Sequence, residues 1–212
     1  MYTVKEIYFT RQGEGYYTGR ESVFLRFAGC NLWSGHEKDR QDAVCKFCDT
    51  KFVGTDGPGG GRYQSADDII SKSDELWIKN SKNVSRRFVV ITGGEPMLQV
   101  DADLVEAFHS KGYKIAIESN GTIPVLDSID WITISPKEGA VLVQKSGSEL
   151  KYVYPQGDSD PRRYESLKFE HFYIQPMDGP DLERNTELSV KFCDDNPGWN
   201  LSLQTHKLLG IP

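Results

Sequence analysis

The sequence predicts an α/β fold, an open, partial parallel β/α barrel with about six strands and few helices. Short runs rich in Val, Ile, Phe and Tyr recur along the chain, each followed by polar or glycine-rich residues. That is the pattern of buried parallel strands. Helical periodicity separates some of these runs, and alternating strand and helix patterns imply a parallel sheet. About six strands and about three helices fall short of a closed eight-fold barrel.

The elements follow in chain order. Residues 4–9 read as an edge strand, and residues 23–28 as the first core strand. Ser65 caps a helix that runs to about Lys79, with Asp67 and Asp68 in its first turn, where the helix dipole favours acids. A strand follows at 88–92. A helix at 101–111 places Leu104, Val105 and Phe108 on one face and stops at Gly112. Strands follow at 114–118, 131–135, 150–154 and 171–175. A last helix at 186–196 sets Leu188 and Phe192 four residues apart, with Pro197 behind it. The joining segments 119–130, 136–149 and 155–170 are short or lack helical period. With no internal repeat and no linker, the expectation is one domain over residues 1–212.

Composition removes several function classes. Apolar residues are 38% and charged residues 26% of the chain, so neither a disordered chain nor a membrane protein is expected. Apolar runs such as 88–91 reach four residues, far from the ~18 of a spanning helix. The start, MYTVKEIYFTRQ, lacks an apolar signal core, and a reducing, cytoplasmic setting is expected. A net charge of −6 without a basic run is poorly suited to nucleic acid.

In such a fold ligands gather at the carboxyl ends of the strands, and the chemically expressive residues fall there. Gly29-Cys30 ends the first core strand, Gly93-Gly94-Glu95-Pro96 the second and Ser119-Asn120-Gly121-Thr122 the third. Ser135-Pro136-Lys137 ends the fourth, and Gln175-Pro176-Met177-Asp178 the sixth. Cys30, Cys45 and Cys48 fall in one loop, and Cys193 stands apart beside Phe192. Clustered thiolates suit zinc or iron–sulfur. Three of them leave one iron of a four-iron cluster open, whereas structural zinc needs a fourth ligand such as Cys193 or His36. Spacing alone leaves both metals open.

Cys45-Lys46-Phe47-Cys48-Asp49-Thr50 and Gly93-Gly94-Glu95-Pro96 together resemble a radical S-adenosylmethionine enzyme. With Gln12-Gly13-Glu14-Gly15 and Leu203-Gln204-Thr205-His206-Lys207 added, the set resembles the 7-carboxy-7-deazaguanine synthases. These are ring-contracting lyases of 7-deazapurine and queuosine biosynthesis, and the resemblance runs from about Ile7 to Pro212. One departure stands out. The superfamily spaces its cysteines Cys-x3-Cys-x2-Cys, whereas fourteen residues, 31–44, separate Cys30 from Cys45 here. A polar excursion that returns to the cluster is feasible, because lengthening a loop costs little entropy.

The resemblance implies a 4Fe-4S cluster on Cys30, Cys45 and Cys48, and no catalytic side chain beyond the cofactor-generated radical. It implies S-adenosylmethionine bound by Phe47, Cys48, Asp49, Gly94, Glu95, Glu118, Ser119, Ser135, Pro136, Lys137, Gln175, Pro176, Met177 and Asp178. Glu95 would accept from the methionine ammonium, and Gly93 and Gly94 would let backbone approach the ligand. It implies Mg2+ on Thr50, and 6-carboxy-5,6,7,8-tetrahydropterin bound by Arg11, Gln12, Gly13, Glu14, Arg26, Thr92, His206 and Pro212. Gln12 and Glu14 suit the pterin edge, and Arg26 suits its carboxylate. The partners implied are a reductant such as a flavodoxin and a second copy in a homodimer. Residue by residue the plainer alternatives are a surface strand arginine at 26, a turn cap at Thr50, an Asn-Gly turn at 120–121 and an exposed Lys137. The alternative functions are a glycyl-radical activase, which would carry extra cysteine clusters, and a non-catalytic zinc-stabilised module. Residues 57–61, rich in glycine, read either as a lid or as a flexible loop. The apolar tail at 208–212 is expected to dock, with Ile211 to bury.

Overall fold

In the computed structural model, which describes residues 1–212 except the side chain of Val84, six parallel strands form the predicted centre. They are β2 (Glu21–Phe27), β4 (Phe88–Gly93), β5 (Lys114–Ser119), β6 (Trp131–Ile134), β7 (Ser146–Tyr154) and β8 (Lys168–Pro176), paired in that order. On one side β1 (Tyr2–Arg11) pairs antiparallel with β2, and β3 (Gly61–Tyr63) pairs antiparallel with β1. On the other side the two-residue β9 (Asn200–Leu201) pairs parallel with β8. The nine-stranded order β3-β1-β2-β4-β5-β6-β7-β8-β9 stays open.

Helix α1 (Ala66–Asn80) packs on β1 and β2, α2 (Ala102–Ser110) on β5 and α1, and α3 (Leu182–Asp195) on β8, β7 and β9. Local chemistry sets two of the starts. Ser65 and Asp68 close a capping box on α1, and Asp101 accepts from the Leu104 amide at 3.0 Å on α2. The expected helix at 186–196 begins four residues early, at Leu182. Asp181 makes no side-chain cap there; instead buried Asn185 donates to the Met177 carbonyl at 2.9 Å. A tertiary bond thus holds a turn that local sequence does not mark.

Strand alternation divides the molecule into two faces. On β7, Leu150 and Tyr152 are fully buried in the helix-side core, while Glu149, Lys151 and Val153 face the opposite way. Register aligns Arg26 with Thr92, Glu118 with Thr133, Thr133 with Glu149, and Glu149 with His171. A polar row therefore crosses the concave face. The far end of that face is closed by aromatic packing of Tyr16, Tyr17, Trp131 and His171.

Two expectations are refined. The excursion at 31–44 does return, since the Val44 and Cys45 amides both donate to the Leu32 carbonyl at 3.1 and 3.3 Å. It is not wholly solvated: Trp33 is buried against Phe52, with the Arg40 guanidinium 4.0 Å over its ring. Residues 57–61 are packed against the sheet edge. The Gly57 amide donates to the Lys5 carbonyl, the Ile7 amide to that of Pro58, and a Cβ on Gly60 would lie 2.3 Å from the Lys5 oxygen.

Candidate functional site

A cavity of about 520 Å³ opens on the concave face at the carboxyl ends of the strands. Cys30, Cys45 and Cys48 share its wall. Cys30 follows β2, and the returning loop delivers the other two. Arg40 fastens that loop, donating to the carbonyls of Lys46 at 2.9 Å and Cys48 at 3.2 Å. A hydrogen bond between the paired thiols pulls Cys48 down to about 6 and pushes Cys45 up, while burial pushes Cys30 up. Cys193 on α3 does not line the cavity, and His36 is exposed on the excursion. Among the described residues no three His, Cys, Asp or Glu side chains converge on a single-ion site.

The glycines at 93–94 both line the cavity, and they also sit close against the protein's own backbone. A Cβ on Gly94 would lie 2.3 Å from the Gly29 oxygen and 2.5 Å from the Cys30 side chain, so the tight contact is with the protein's own cysteine loop. Glu95 is fully buried and does not line the cavity. Its carboxylate accepts from the Ser119 hydroxyl at 2.9 Å and from the amides of Asn120 and Met97 at 2.8 and 3.0 Å. Burial nevertheless keeps it above the usual carboxylate range. Pro136 also lies behind the wall, its carbonyl accepting from buried Gln156.

The other expected residues line the cavity. Phe47, Cys48, Asp49, Thr50, Gly94, Glu118, Ser119, Ser135, Lys137 and Gln175 to Asp178 are in its wall, as are Arg11, Gln12, Gly13, Glu14, Arg26, Thr92, His206 and Pro212. Lys137 is not a surface lysine: its ammonium donates to the Ser135 carbonyl and hydroxyl at 2.6 and 2.7 Å, and burial lowers its pKa. Arg26 donates through Nε to Glu6 at 2.8 Å and through Nη2 to the Tyr8 hydroxyl at 3.1 Å. Gln12 donates to Glu118 at 3.1 Å.

The far wall is a short helix that local sequence did not signal, α4 (Thr205–Leu209). The Thr205 amide and hydroxyl both donate to the Gly13 carbonyl at 2.9 Å. A Cβ on Gly13 would fall 2.1 Å from the His206 ring nitrogen, so only glycine lets that ring pack there. Lys207 spans two loops, donating to Asp49 and to Asp178, each at 2.6 Å. Leu208 and Leu209 point outward at 75% and 67% exposure, contrary to a buried tail, while the Pro212 oxygen accepts from Thr10 at 2.7 Å.

Sequence reasoning missed Lys151, Tyr8 and Glu6 in the wall. Lys151 offered a signal, since it sits inside the apolar strand run Leu150-Lys151-Tyr152-Val153. Its ammonium contacts Glu14 and lies 3.5 Å from Glu118.

No family model matches the chain. Among curated proteins, the chain is 56% identical over 210 residues to the 7-carboxy-7-deazaguanine synthase of Bradyrhizobium diazoefficiens, covering 99% of each. It is 56% identical to that of Burkholderia multivorans and 53% to that of Caulobacter vibrioides, covering 100% of this chain and 99% of each relative. Among solved structures it superposes on QueE from Escherichia coli with a TM-score of 0.70 at 23% identity, covering 95% of this chain and 93% of that one. That likeness shows the same fold.

Proposed function

The chain belongs to the 7-carboxy-7-deazaguanine synthase family, and from that premise we propose how its cavity serves the family's ring contraction. It is a radical S-adenosylmethionine lyase that converts 6-carboxy-5,6,7,8-tetrahydropterin to 7-carboxy-7-deazaguanine with loss of ammonia. The observation that carries this reading is the single cavity shared by the three thiols, the five strand-end segments and the pterin-suited polar row.

The donor set fits a four-iron cluster. Each cluster thiolate binds a different iron, so three cysteines can share a wall without converging on one point. Zinc needs four converging ligands, and neither Cys193 nor His36 joins the wall. When bound, the reduced cluster supplies the electron that cleaves S-adenosylmethionine and releases a hydrogen-abstracting 5′-deoxyadenosyl radical.

The chain's own residues bind, orient and shield. Lys137 presents an ammonium beside Cys45 and Cys48 for the carboxylate of S-adenosylmethionine. Ser119 and the 175–178 segment line the wall for its nucleoside. Glu95 acts one step back, by fixing the Ser119–Asn120 turn. Arg26 keeps Nη1 free of Glu6 and Tyr8 for the pterin carboxylate. Gln12, Glu14, Thr92 and Glu118 meet the pterin edge, with His206 and Pro212 in the adjoining wall. Lys207 ties α4 across the mouth and limits water entry. Thr50 offers a hydroxyl for Mg2+, with substrate oxygens and water completing the shell. A flavodoxin-like reductant and a homodimeric state complete the proposal.

Metal analysis after anaerobic purification tests the site. The expected result is about four irons with matching sulfide per chain; one zinc without sulfide would return the chain to a zinc-stabilised role. If Thr50 holds Mg2+, added magnesium raises turnover, and Thr50→Ala blunts that response with iron content retained. An unchanged magnesium response in the variant would leave Thr50 as a turn cap.

A further inference from the structure

We propose that Lys151 is a positioning residue whose ammonium holds the Glu14 and Glu118 side chains next to each other, so that the pair accepts hydrogen bonds from a donor-bearing heterocycle edge. The inference rests on the pterin being the substrate and names what selects it. Lys151 is 5% exposed on the concave side of β7, where an unpaired ammonium would be costly. It contacts Glu14 Oε2 and lies 3.5 Å from Glu118 Oε1. Gln204 donates to Glu14 at 3.0 Å, and Gln12 and Thr92 donate to Glu118 at 3.1 and 3.4 Å.

A buried carboxylate keeps its charge only where cations or hydrogen bonds offset the burial, and Lys151 supplies such a cation to Glu14. An ionised carboxylate has about four acceptor sites. Each of these two has only two or three partners in the wall, so acceptor capacity is left facing the cavity. The 2-amino and ring N–H groups of a pterin are donors of that kind, and a protonated carboxyl would offer them one acceptor fewer. The same pair repels an anionic edge, which leaves the substrate carboxylate to Arg26.

The surrounding charges agree. Burial alone would lower the Lys151 pKa, yet Glu118, Glu14 and Glu149 outweigh it and raise it. Burial alone would raise Glu14, yet Lys151, with help from Gln204 and His206, turns the balance and lowers it. The other titratable groups facing the cluster are Glu149 behind Lys151, Lys137 across the cavity, His206 beside Glu14 and Tyr8 beside Glu118.

The test is calorimetric binding of 6-carboxy-5,6,7,8-tetrahydropterin to cluster-loaded protein between pH 6 and pH 9. Lys151→Met keeps the stem length and removes the charge. It should weaken binding at pH 7 by about tenfold or more, and affinity should recover with rising pH as Glu14, no longer held ionised by Lys151, loses its proton. A purely structural defect gives no such recovery. The double variant Lys151→Met with Glu14→Gln removes cation and anion together. It should fold even if the single variant does not, and its pterin binding should be weaker than wild type without the pH-dependent recovery. Wild-type affinity in Lys151→Met at pH 7, or a loss that no pH restores, overturns the inference. A wild-type protein that does not bind the pterin overturns the proposed function instead.

Discussion

Glu149 is 3% exposed, with its carboxylate accepting from the Tyr16 amide at 2.9 Å. Burial pushes it from 4.5 up to about 7. Between those values the folded chain holds a proton that the unfolded chain has released. The associated stability is therefore full below pH 4.5 and is lost as pH rises through 7, by up to about 3 kcal/mol. Glu149→Gln should remove this slope, so its stability advantage over wild type grows from pH 5 to pH 8. Parallel stability curves across that range would show that Glu149 ionises without cost. The four cysteines divide as sharply. Alanine at Cys30, Cys45 or Cys48 should abolish cluster assembly and reductive cleavage of S-adenosylmethionine, and Cys193→Ala should leave both intact. Cluster loss confined to Cys193→Ala would reverse the assignment. At this scale sequence was legible where chemistry is local, as in the Cys45–Cys48 spacing, and silent where orientation decides. Glu95 and Ser119 both sit at strand ends, yet one turns inward and the other lines the cavity. A charged residue on a strand suggests solvent, and only the closed concave face makes Lys151 and Glu149 interior groups.

Among the elements, long periodic ones were readable and short ones were not. The six central strands and three long helices carry their own hydrophobic pattern. The three-residue β3, the two-residue β9 and the five-residue α4 do not. They form because neighbours complete them, as Gly13 does for α4. A helix of that length has no independent stability, so its position depends on its tethers. Lys207 is the one joining the cysteine loop to the end of β8 through Asp49 and Asp178. Lys207→Met should raise the pterin KM about threefold to tenfold, as expected for losing ~1 kcal/mol of tethering, with iron content unchanged. An unaltered KM would make α4 a passive wall held by Gln204 and Thr205 without Lys207.

On the scale of the molecule, the sheet stays open because an antiparallel strand and a two-residue strand end it where a barrel would close. That opening leaves a cavity whose walls come from both halves of the chain, from Lys5 to Pro212. One end of it carries three thiols and Lys137, and the polar row carries Arg26, Glu118 and Lys151. The fold class was readable because strands and helices alternate, and the cavity's place because ligands collect at strand ends. The meeting of the two ends of the chain, Arg11 to Glu14 with His206 and Pro212, came from the family resemblance alone, since pattern and spacing carry no sign of long-range contacts such as Thr10 with Pro212. The central claim is that these walls direct one radical ring contraction. The most direct measurement gives anaerobically reconstituted, reduced protein S-adenosylmethionine, Mg2+ and 6-carboxy-5,6,7,8-tetrahydropterin, and follows the products by mass spectrometry with an ammonia assay. The expected result is 7-carboxy-7-deazaguanine with one ammonia per molecule formed. Protein that cleaves S-adenosylmethionine under these conditions but returns the pterin unchanged would contradict it.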